Sequence, residues 1–149
     1  MSSSRASCYD FPMDVVLAPD IYVNASIALG TSPERVVRRV LGGPVKAKAS
    51  AWVLERVESM LHALPEFKDD AVEQQMKTIR GLVDIVERGD FFIEDWDRAL
   101  VALARAAGVR RVVTDHPDLL ATSSASGVEF VSSEGWLAEQ ATPPPPPRI

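Results

Sequence analysis

The sequence predicts a single α/β domain, a three-layer α/β/α sandwich around a central parallel sheet. Two observations carry this. Short apolar runs such as Val15 to Leu17 and Val109 to Thr114 alternate with longer stretches in which apolar residues recur at helical spacing. No hairpin signal joins one apolar run to the next, so the strands are connected by helices, as parallel pairing requires. A chain of 149 residues, 46% hydrophobic and 25% charged, suits one domain with a sizeable core.

Residues 1–12 are expected to form a flexible arm, 13–140 the domain and 141–149 a proline-rich disordered tail. Val15 to Leu17 reads as the first strand. Pro19 cannot continue it through a central ladder, and Asp20 is expected to cap a helix carrying Ile21, Val23, Ile27 and Leu29. Ser32-Pro33-Glu34 has the residue order of a helix start, with cap, first-turn proline and acid in sequence. That helix should stop at Gly42-Gly43-Pro44. Val45 to Ala49 alternates apolar and basic residues and reads as a short edge strand. Ser50 should cap a helix over about 51–64, ended by Pro65. Asp69 opens another, expected to reach about Arg88 on the spacing of Val72, Met76, Ile79, Val83 and Val86.

Phe91-Phe92-Ile93 reads as a third strand. Asp95 should cap a helix that ends at Gly108. Val109 to Thr114 is the strongest strand after the first, and Asp118 is expected to cap a helical turn through Leu120. Gly127 to Val131 is the last strand, followed by a turn over Ser133 to Leu137. Pro143 to Pro147 can adopt only extended polyproline II.

The composition narrows the function. A net charge of −5 and a pI near 5.0 give no overall steering toward nucleic acid. Cys8 stands alone, which leaves neither a disulfide framework nor a thiolate metal cluster. The first nine residues lack the apolar segment of a signal peptide, and no apolar run approaches membrane-spanning length. The expectation is a cytoplasmic protein with no membrane partner. Arg35, Arg38 and Arg39 lie on one helix, with Lys46 and Lys48 shortly after. They read as a solvated face or as a phosphate-contacting patch.

Three segments resemble the PIN domain family, whose members include the endoribonucleases of toxin–antitoxin pairs. They are Val15-Val16-Leu17-Ala18-Pro19-Asp20-Ile21-Tyr22-Val23-Asn24-Ala25, then Glu94-Asp95-Trp96-Asp97 with its helix to Gly108, then Val112-Val113-Thr114-Asp115-His116-Pro117-Asp118-Leu119-Leu120. Gly127 to Leu137 is similar to the family's closing strand and helix. The resemblance spans about residues 13 to 138. It implies a PIN-like sandwich in which carboxylates at the sheet edge bind Mg²⁺ or Mn²⁺ and activate water against an RNA phosphodiester.

Carried over residue by residue, the family's acids are kept at Asp97 and Asp118. The first acid position holds Ala18, with Asp20 two residues on. The acid before Pro65 aligns with Arg56, beside Glu55, and the Asp after Thr-Gly falls on His116, beside Asp115. Ala18, Arg56 and His116 therefore argue for a degenerate site. One reading is a pseudoenzyme that works by binding RNA, a protein partner or a second copy of itself, with His116, Asp115, Arg56 and Glu55 lining the cleft. The other is an active single-strand endoribonuclease using Mg²⁺ or Mn²⁺ on Asp20, Asp97 and Asp118. Trp52, Trp96 and Trp136 are expected in the core or at an interface.

The proline run offers no N–H donors from Pro143 to Pro147 and cannot join a sheet or helix. Truncation after Ala141 is expected to leave the thermal midpoint unchanged in a calorimetric scan. A large drop would mean that the tail packs on the domain.

Overall fold

In the computed structural model, residues 14–43, 45–86, 95–121 and 127–141 are described. Five strands form one all-parallel sheet in the order β3-β2-β1-β4-β5. They are β1 (Val15–Leu17), β2 (Ala47–Ala49), β3 (Val83–Ile85), β4 (Arg111–Val113) and β5 (Glu129–Val131). The helices are α1 (Pro19–Ile27), α2 (Ser32–Gly42), α3 (Ala51–His62), α4 (Asp69–Leu82), α5 (Trp96–Ala107), α6 (Pro117–Leu120) and α7 (Ser133–Ala141).

The first strand is the middle of the sheet because it is apolar at every position. Val15, Val16 and Leu17 are at most 1% exposed, so both pleated faces are covered. Val16 pairs with Lys48 of β2 and with Val112 of β4. Helix α5 packs across β1, β2 and β4, while α3 packs on β2 and α4 on β3. Helix α1 packs on both α2 and α3, and α7 closes against α2. The three-layer sandwich expected from the alternation of elements is what the chain adopts. Among the described residues no helix is long and apolar enough to cross a membrane.

Two strands differ from expectation. β2 lies inside the sheet, between β1 and β3, rather than at its edge. Ala47 and Ala49 are buried on one face, small enough for a helix to approach. The intervening Lys48 is held in register by carboxylates on its neighbours, with Nζ 3.1 Å from Asp84 and 3.7 Å from Asp14. The Asp84 hydrogen bond, ahead of the partial burial that opposes it, raises the Lys48 pKa.

The second difference concerns α4, which stops at Leu82 instead of running on to Arg88. Val83-Asp84-Ile85 turns into β3, pairing with β2 from Ala47↔Val83 to Ala49↔Ile85, and Val86 donates to the Ala49 carbonyl at 2.8 Å. Gly81 weakens the last helical turn, and the β-branched residues after it favour a ladder. The run Phe91-Phe92-Ile93, expected as a strand, lies outside the described residues, as do the N-terminal arm and the proline run. The last helix is longer than expected and reaches Ala141.

Helix starts and stops follow local chemistry. Ser50 Oγ accepts the Val53 N–H at 3.3 Å and caps α3 as anticipated. At α2 the cap position is Thr31, one residue earlier than Ser32, with Pro33 in the first turn. Glu34 accepts the Gly30 N–H at 3.0 Å and pairs with Arg38 at 2.8 Å. Helix α5 ends at Gly108 with φ +72°, a left-handed cap that returns its N–H to the preceding turn.

A Cβ at Gly108 would touch nothing within 4 Å, so the demand there is conformational alone. Gly108→Ala is expected to destabilise the domain by about 1–2 kcal/mol, the cost of the left-handed region for an L-residue. Urea unfolding should show a lower midpoint at unchanged slope. An unchanged midpoint would place the end of α5 elsewhere.

Candidate functional site at the carboxyl edge of the sheet

The carboxyl ends of β1, β4 and β5 are joined by side chains. Ala18, fully buried, continues β1 by donating its N–H to the Val113 carbonyl at 2.9 Å. It occupies the cap position of α1, Pro19 the first helical position and Asp20 the second. Asp20 is therefore not the cap that its sequence position suggested. Its carboxylate points across to β4, where Oδ1 accepts the Thr114 hydroxyl at 2.9 Å and Oδ2 accepts the Asp115 N–H at 2.9 Å. Thr114, fully buried, also accepts the His116 N–H at 3.1 Å.

The next acid repeats the pattern one strand further out. Asp115 accepts the Ser133 N–H at 2.9 Å and the Ser133 hydroxyl at 2.6 Å. Its negative charge lies at the amino end of α7, where the helix dipole favours it. Asp20, Thr114, Asp115 and Ser133 thus form one connected network in which each carboxylate oxygen of the two acids already has a donor. Burial is the largest influence on Asp20 and raises its pKa. The Asp115 and Thr114 hydrogen bonds oppose that, and the Asp115 charge adds to it.

Beside this network lies an aromatic and cationic row. His116, rather than Asp118, caps α6, and its Nδ1 accepts the Asp118 N–H at 3.2 Å. The His116 ring is 6.0 Å from that of Trp96, tilted by 49°. Trp96 meets Trp52 edge to face at 5.9 Å, and the Arg56 guanidinium lies 5.5 Å from the centre of the Trp52 ring. Two positions where the resemblance implies acids, Arg56 and His116, are thereby joined through a pair of tryptophans.

Asp97, half-buried, follows Trp96 in the first turn of α5. Asp118 is exposed on α6, and Glu55 is exposed on α3. Among the described residues no three His, Cys, Asp or Glu side chains converge as a divalent ion requires. Ala18 offers no oxygen, and Asp20 and Asp115 each accept hydrogen bonds from internal donors on both oxygens. Thr114 and Ser133 carry roles that the sequence reading did not assign. The signal for each was present, a hydroxyl directly after a strand and a hydroxyl opening a helix.

The buried Tyr22 hydroxyl on α1 has no hydrogen-bond partner among the described residues, and complete burial raises its pKa far above the ordinary phenol value.

No family model and no curated protein matches the sequence. Among solved structures, the fold is similar to a chain of VapBC2 from Rickettsia felis, solved bound to a DNA fragment from their promoter. The TM-score is 0.60 at 12% identity, covering 80% of this chain and 98% of that one. Identity that low speaks for the fold alone, and it supports the PIN-like form of the sandwich.

Asp20→Asn keeps the shape but replaces one acceptor oxygen by an NH2 donor, so either the Thr114 hydroxyl or the Asp115 N–H loses its acceptor. The expected loss is about 1–3 kcal/mol, the cost of an unsatisfied, partly buried donor. Because the folded-state pKa of Asp20 is raised, its titration adds stability below the ordinary value of 3.8, and this is lost as pH rises through the folded value. The stability gap between parent and variant should therefore narrow as pH rises from about 3.8 through the folded-state value. A gap that widened would mean that the two hydrogen bonds outweigh burial.

Proposed function

We propose that this chain is a PIN-like binding module whose carboxyl sheet edge takes single-stranded RNA without hydrolysing it. The observation that carries the reading is the engagement of Asp20 and Asp115 by Thr114, the Asp115 N–H and Ser133. Both acids spend acceptor sites on bonds that join the ends of three strands.

What remains at the edge suits a phosphodiester strand. Trp96 and His116 are half-buried, and Arg56 adds a positive charge. Stacking of bases on aromatic rings with a guanidinium nearby is a sequence-tolerant way to hold a single strand. The acidic balance of the whole chain does not oppose this strongly, because charges more than about 8–10 Å away are largely screened at physiological salt.

A second reading, an active Mg²⁺- or Mn²⁺-dependent endoribonuclease, draws on Asp97. It follows Trp96 in the first turn of α5, the helix whose opening the resemblance to the nuclease family rests on.

The two readings separate in one experiment. A single-stranded oligoribonucleotide should change the tryptophan fluorescence of the protein and remain intact with Mg²⁺ or Mn²⁺. Arg56→Gln should weaken binding by about tenfold, as loss of a charged contact worth ~1.4 kcal/mol implies. Metal-dependent cutting that Asp97→Asn abolishes would establish the enzyme instead.

A further inference from the structure

The opposite edge of the sheet holds a different surface. A cavity of about 600 Å³ opens between the carboxyl ends of α2 and α7, with Arg35, Arg38 and Arg39 on one side and Leu137 and Gln140 on the other. No carboxylate lines it among the described residues. We infer that this cavity is a phosphate-binding site for a compact ligand of nucleotide size. The inference goes beyond the reading of the carboxyl edge and does not depend on it.

Helix geometry concentrates the charge. Positions 35, 38 and 39 are spaced i, i+3 and i+4, so the three guanidiniums share one face of α2. The other face, with Pro33, Val36 and Val40, is buried. Arg38 has a carboxylate partner, Glu34. Arg35 and Arg39 are exposed and have none among the described residues. Like charges at this spacing destabilise a helix, and a bound anion removes the repulsion.

The charge balance favours an anion even after the local dipoles are counted. Arg35, Arg38 and Arg39 against Glu34 leave two positive charges. The two helix carboxyl ends subtract about half a charge each. Arginine's planar fork matches phosphate oxygens in pairs. At Gly43 any Cβ would meet the Arg39 carbonyl oxygen at 2.9 Å, so the cavity wall there is bare backbone. The volume falls within the usual range for small-molecule sites, about 300–1,000 Å³. Leu137 offers an apolar surface to a sugar or base, and Gln140 an amide.

The surroundings exclude a long strand. Across Gln140 lies a second cavity, where Asp14, Glu129 and Glu139 outnumber Arg110 and Arg111. Arg111 is already paired with Glu129 and Glu139. A polyanion continuing in that direction meets net negative charge, whereas a single phosphate group does not reach it.

Calorimetric titration of the full chain with adenosine monophosphate, inorganic phosphate and a hydroxyl-terminated oligoadenylate tests the site. Adenosine monophosphate should bind, and Arg35→Gln and Arg39→Gln should each weaken it by about tenfold. Both side chains are exposed and removing either relieves like-charge repulsion, so the thermal midpoint should not fall. Arg56→Gln, at the other edge, should leave this binding intact. Inorganic phosphate binding with the same sensitivity would support the phosphate chemistry without a contribution from the nucleoside. The inference fails if adenosine monophosphate does not bind at millimolar concentration, or if the Arg39→Gln affinity equals that of the parent. It fails equally if Arg35→Gln and Arg39→Gln weaken the oligoadenylate, whose own site is the carboxyl edge, as much as they weaken the mononucleotide.

Discussion

The carboxylate of Asp20 joins parts of the chain that are 94 residues apart, by accepting the Thr114 hydroxyl and the Asp115 N–H. Burial opposes its charge, and the donors compensate only in part. The same bonds set the conformation after β4, because Thr114 in turn receives the His116 N–H and Asp115 receives Ser133. Three strand ends are therefore fixed relative to one another by side chains, beyond what the short ladders provide. With only three residues per strand in β1, β4 and β5, such cross-links matter more than they would in a long-stranded sheet.

Much of this was legible in the sequence where a local signal and the tertiary outcome agreed. The apolar run Val15 to Leu17 became the buried central strand, Ser50 became a cap, and Gly108 became a left-handed stop. The β3 strand was hidden because Val83 and Val86 also satisfy the helical spacing set by Val72, Met76 and Ile79. Periodicity cannot separate the two when only three residues decide. The position of β2 inside the sheet was hidden for another reason. Lys48 looks like an edge residue until Asp14 and Asp84 supply its partners, and both lie far from it or across a strand.

The candidate site was partly legible. Asp20, Asp115 and His116 were singled out, and they do meet, together with Thr114. Their roles were not legible. Asp20 and Asp118 each stood where a cap would stand, yet Ala18 and His116 hold the cap positions. A side chain at a helix start has one local option and many distant ones, and only the folded chain shows that a donor such as Thr114 Oγ1 lies within reach. The tryptophans posed the converse problem. Trp52 is in the core as expected, but its contacts to Trp96 and Arg56 also carry the row that ends at His116.

The strand order has a consequence for how the molecule is made. β1 is synthesised before the other four described strands and is the centre of the finished sheet, flanked by β2 on one side and β4 on the other. β2 and β3 are available early, but the second neighbour arrives only when Val112 and Val113 do. Until then a nascent chain can build half a sheet that ends in a fully apolar strand with open backbone donors and acceptors. Such an edge invites pairing with other chains. The late, long-range closure of β1 by β4, with its Asp20–Thr114 latch, is thus the step that converts an adhesive intermediate into a sheet whose most apolar strand is no longer at an edge.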